Sequence, residues 1–87
     1  MAVIVEVHNT GDPELRRDMV ARLEHVFSDR PGDWRVEILG SQGSERWDLK
    51  ITGPNGFERS YTLEESLGQH EPIAVAGIVA RMLPSRS

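Results

Sequence analysis

Cysteine is absent from all 87 residues, which excludes disulfides and thiolate metal sites. The absence agrees with a reducing compartment, and a cytoplasmic location is the expectation. A basic excess is missing too, since ten basic against fourteen acidic side chains leave a formal charge of −4. Nucleic-acid binders carry a basic patch or stripe, so this acidic balance weighs against RNA or DNA. No apolar run reaches the roughly 20 residues that a membrane-crossing helix needs. Residues 1–7 have no basic region and carry Glu6 inside their apolar run, which does not fit a signal peptide. No repeat or low-complexity tract divides the chain. What is left reads as one small acidic domain, 1–87, near the size at which a single core just suffices.

The most apolar stretch runs from Pro72 to Leu83, with Arg81 its one charge. Pro72 suits the first position of a helix and Pro84 ends it, so a helix is predicted over 72–83, with Ser85-Arg86-Ser87 fraying beyond it. At the other end, Val3, Val5 and Val7 alternate with Ile4, Glu6 and His8, predicting a strand over 2–8. Asp12-Pro13 then has the form of a helix cap and first helical residue. Leu15, Met19, Leu23, Val26 and Phe27 recur at helical spacing, and Pro31-Gly32 stops the pattern, giving a helix over about 13–28. Arg16, Arg17, Arg22 and Glu24 fall on its outward side.

Three strands follow, over 33–39, 45–52 and 57–63. Trp34, Val36, Ile38, Trp47, Leu49, Ile51, Phe57, Tyr61 and Leu63 form the inward set, with Arg59 among them. Gly40-Ser41-Gln42-Gly43-Ser44 reads as the first turn. In Gly53-Pro54-Asn55-Gly56, proline presets the first turn residue and Gly56 takes the left-handed position. Thr62 and Glu65 have capping-box spacing, so one helical turn is expected in the linker from Glu64 to His70. The order β-α-β-β-β-α predicts an α+β, two-layer sandwich. It has an antiparallel three-stranded meander plus an N-terminal strand, and both helices lie on one face. Trp34, Trp47, Phe57 and Tyr61 are expected at its centre. If the first strand lies parallel to a neighbour, its crossover is right-handed; the edge it takes is not set by the pattern.

Chemistry-bearing motifs are scarce. His8, His25 and His70 lack a second ligand at metal spacing and read as solvated or capping side chains. No serine sits in a nucleophile elbow. Gly40-Ser41-Gln42-Gly43 joins two strands, with no lysine-bearing helix start behind it to hold phosphate. Glu6, Glu37, Asp48 and Glu58 share the open sheet face with Arg35, Lys50 and Arg46, which reads as cross-strand charge pairing. The expectation is therefore a non-enzyme without cofactor or metal. An enzyme using His70 and Glu71 is a third reading, and it needs a shielded pocket around them.

From Pro13 to Leu83 the chain runs helix, three antiparallel strands, helix, and in order and length it resembles the double-stranded RNA-binding domain. That family places lysines at the start of its second helix and a Gly-Pro-x-His loop between its first two strands. The matching positions here read His70-Glu71-Pro72-Ile73-Ala74 and Gly40 to Ser44, so neither motif is present. The resemblance implies architecture. The alternative function it suggests is a nucleic-acid binder using Arg16, Arg17, Arg22 and Arg30.

The main expectation comes from the last helix. Rotated by about 100° per residue, it gathers Val75, Ile78, Val79, Met82 and Leu83 on one bulky arc. Ile73, Ala74, Gly77, Ala80 and Arg81 lie opposite. Glycine inside a soluble helix costs about 1 kcal/mol relative to alanine, which a close neighbour would explain. Either the first helix or another molecule supplies that neighbour. Ile73, Gly77, Ala80 and Arg81 are accordingly the candidate contact of a small interaction module, for a protein partner or a second copy in a homodimer.

Overall fold

The alternating valines at the N-terminus form β1 (Ala2–His8). The computed structural model, which describes residues 2–41 and 43–84, places that strand at one edge of a four-stranded sheet. Asp12 then caps α1 (Pro13–Val26), its carboxylate accepting from the Glu14 N–H at 2.9 Å while Pro13 occupies the first turn. The strands β2 (Asp33–Leu39), β3 (Arg46–Thr52) and β4 (Glu58–Glu64) follow, and α2 (Pro72–Met82) ends the order. Sheet order is β1-β2-β3-β4, with β1 parallel to β2 and the other pairs antiparallel. The fold is the predicted α+β arrangement, and it answers the open question of the first strand, which lies beside β2. Of the first predicted turn, Gln42 lies outside the described residues, as does the fraying expected at 85–87.

The register explains the core. Val3, Val5 and Val7 lie beside Trp34, Val36 and Ile38, while Val36, Ile38 and Trp47 face Ile51, Leu49 and Leu63. This face meets Met19 and Leu23 of α1 with its cap Phe27, and Val75, Ile78 and Val79 of α2 with its cap Leu83, all buried. Each such side chain contributes about 1.5–3 kcal/mol when fully buried.

Element ends depart from the sequence reading where a side chain is recruited elsewhere. Phe27 leaves helical geometry and caps α1, and the chain turns through Ser28 N–H to His25 O and Arg30 N–H to Phe27 O. Phe57 precedes β4 because the turn holds it: its N–H donates to Pro54 O, and its carbonyl accepts from Gly53 N–H at 2.9 Å. Asn55 and Gly56 both have positive φ, 60° and 76°. That is the Asn-Gly pattern of a type I′ hairpin, with Pro54 just outside the two central positions and not at the first of them. In the linker a single turn forms over Glu65–Leu67, as expected, but Glu64 precedes it and makes no side-chain cap; Thr62 belongs to β4.

The expected central quartet of aromatics divides. Trp34 packs between Phe27 at 5.3 Å and Phe57 at 5.4 Å, and its indole N–H donates to Pro31 O at 3.0 Å. Trp47 lies elsewhere, under the ring of His70. Tyr61 shares a face with Leu49 but is 39% exposed, since β4 is the far edge of the sheet and Gln69 of the linker, not a helix, meets its hydroxyl.

Candidate protein-interaction site

Helix α2 is fixed by its buried arc, so its outer arc is presented without further support. Ile73 is 66% exposed there, and Gly77, Ala80 and Arg81 are exposed as well. A Cβ built on Gly77 would meet nothing within 4 Å. The first helix is therefore not the close neighbour of Gly77. It packs on the other flank of α2, where Ala76 shares a groove of about 300 Å³ with Ala21, Arg22, His25 and Val26.

The four arginines of the nucleic-acid alternative do not form one stripe. Arg22 is ion-paired to Asp18 at 3.1 Å, and Arg30 donates to Pro84 O at 3.0 Å beside the end of α2. Arg16 and Arg17 stay exposed on α1.

His70 is neither solvated nor a cap. Its ring is half-buried, stacks on Trp47 with centroids 3.7 Å apart and an interplanar angle of 12°, and holds Leu63 O at 3.1 Å through Nε2. Those contacts occupy the side chain that the enzyme reading needs. Glu71 beside it is exposed. Among the described residues, no group of three or more histidines and carboxylates is placed to hold a metal ion.

Among the described residues, the open sheet face carries most of its charges in pairs, Asp48 excepted. Glu6 and Glu37 are neighbours in the β1–β2 register, and Arg35 reaches both, at 2.6 and 3.1 Å. The hydrogen bond and charge of Glu6, then the charge of Glu37, raise the proton affinity of the Arg35 guanidinium. Lys50–Glu58 and Arg46–Glu64, each at 3.5 Å, continue the pattern across β3 and β4. Exposed pairs of this kind contribute little to stability.

One feature escaped the sequence reading. Between the free edge of β1 and the flank of α1 runs a groove of about 460 Å³, lined by Val5 and Val20 together with Arg16, Arg17 and Glu24. The charge-free run Val3-Ile4-Val5 was its signal, but that run became informative only once β1 was known to lie at an edge. Among the described residues, no helix is long and apolar enough to cross a membrane. No family model and no curated protein matches the chain.

Proposed function

We propose that this chain is a small non-enzymatic interaction module, working in the cytoplasm through protein contacts. The observation that carries the reading is Ile73, 66% exposed at the start of a helix whose other arc is locked in the core. Next to it, Gly77 and Ala80 leave the helix backbone open to close approach, the surface that a helix or a flat apolar patch of a partner fits. Arg81 at the end of the same arc supplies a charge by which a partner's orientation is set.

The test is affinity capture followed by reconstitution with the purified partner. Ile73→Asp and Gly77→Leu alter exposed positions, so both variants are expected to fold, which circular dichroism checks. A partner bound by the wild type and lost with both variants supports the α2 surface. A partner retained by both variants refutes it.

A further inference from the structure

The two edges of the sheet are built differently. In β4, three of seven residues are charged, Glu58, Arg59 and Glu64, a defence against edge-to-edge pairing. In β1, Glu6 is the only carboxylate, there is no proline, and the register with β2 runs unbroken from Ala2 to His8. Such a strand presents a straight row of unpaired backbone donors and acceptors on its outer side.

One row on the flank of α1 above that edge is self-complementary, with Arg17 beside it. Arg16, Val20 and Glu24 follow one another at four-residue steps and so form one row along the helix. They lie on the side of α1 away from α2, whose groove is lined instead by Arg22, His25 and Val26. Among the described residues, neither Arg16 nor Glu24 has an ion pair within the chain. In an antiparallel pair of such helices centred on Val20, Arg16 of one copy faces Glu24 of the other, twice.

We propose that β1 and α1 form the interface of a two-fold homodimer. The axis stands normal to the sheet at Val5, the strand residue that lines the groove. Val5 then meets the partner's Val5, Val3 meets the partner's Val7, and Ile4, 55% exposed, meets the partner's Glu6. Even-numbered sums of paired positions keep both helix layers on one side, so the two sheets join as one of eight strands. The arrangement closes on itself: it uses both β1 edges and leaves outermost the two charged β4 edges. This inference is independent of the α2 surface and commits the second copy to β1.

Sedimentation equilibrium tests it, with charge exchange on α1. The wild type is expected to be dimeric at high micromolar concentration. Arg16→Glu and Glu24→Arg, each at an exposed position, should each weaken the dimer about tenfold or more by placing like charges together. The double variant Arg16→Glu/Glu24→Arg should return it to within a few-fold of wild type, with β1 amides again protected from hydrogen exchange. A monomeric wild type overturns the proposal, including one that takes up an extended peptide of another protein along β1. So does a dimer that the single variants leave intact, or one that the double variant fails to restore. A dimer dissociated by Gly77→Leu places the contact on α2 instead.

Discussion

The imidazole of His70 lies flat on the indole of Trp47, with ring centroids 3.7 Å apart, and its Nε2 holds the Leu63 carbonyl at 3.1 Å. Trp47 lies near the sheet end where the helix layer gives way to the linker, and the histidine completes its cover to 7% exposure. His70→Ala should therefore destabilise the fold by about 1–2 kcal/mol, combining a lost ring contact with a lost hydrogen bond. His70→Phe keeps the stack and should lose less. Urea unfolding of the three proteins checks the order, and an unchanged midpoint for His70→Ala would show that the stack contributes nothing.

Arg35 separates two carboxylates that the register sets side by side. Removing it in Arg35→Gln leaves Glu6 against Glu37 and should lower the melting temperature slightly, by less as salt is added. The raised proton affinity of its guanidinium gives the sign of the pH dependence. A group whose affinity rises on folding contributes fully below its unfolded value and loses that contribution only above it. The difference between Arg35→Gln and wild type should thus stay constant from neutral pH to about pH 10, well under the arginine range. Paired melting curves at the two pH values measure it.

Asn55 and Gly56 carry the hairpin between β3 and β4 with φ of 60° and 76°. Glycine tolerates that region and asparagine visits it, whereas alanine avoids it. Gly56→Ala and Asn55→Ala should each cost about 1–2 kcal/mol, the first more than the second. A Cβ on Gly56 would meet nothing within 4 Å, so the loss is one of backbone conformation and not of packing. Gly56→Asn should recover part of it. Chemical denaturation of the series distinguishes the two causes.

What could be read in the sequence was whatever depends on neighbours along the chain. Strand parity, the Asp12-Pro13 cap and the buried arc of α2 follow from spacing alone, and each has its place in the fold. The order of elements was enough for the layer architecture. Contacts made across the chain were not readable. Parity assigns Tyr61 to the helix side of β4, but says nothing of whether a helix reaches that edge. The pairing of His70 with Trp47 joins residues 23 apart through a linker with no periodicity. The edge position of β1 depends on which strand it pairs with, a long-range choice, and the groove beside it stayed hidden for the same reason. On the open face the charged residues were identifiable, but their partners needed the register.

Two glycines, Gly53 and Gly77, have opposite surroundings, and alanine should separate them. At Gly53 the backbone is extended, φ −155°, so the conformation suits any residue. Space is what forbids a side chain there: a Cβ would fall 2.5 Å from two ring carbons of Trp34, itself wedged between Phe27 and Phe57. Gly53→Ala should cost about 1–3 kcal/mol, as overpacking does. At Gly77 the conformation is helical and the space is open, so Gly77→Ala should stabilise the chain by about 1 kcal/mol through helix propensity. Thermal unfolding of both variants should move the midpoint in opposite directions. If Gly77→Ala fails to stabilise the protein, helix propensity does not decide this position, and the open space at Gly77 is no guide to its energetics.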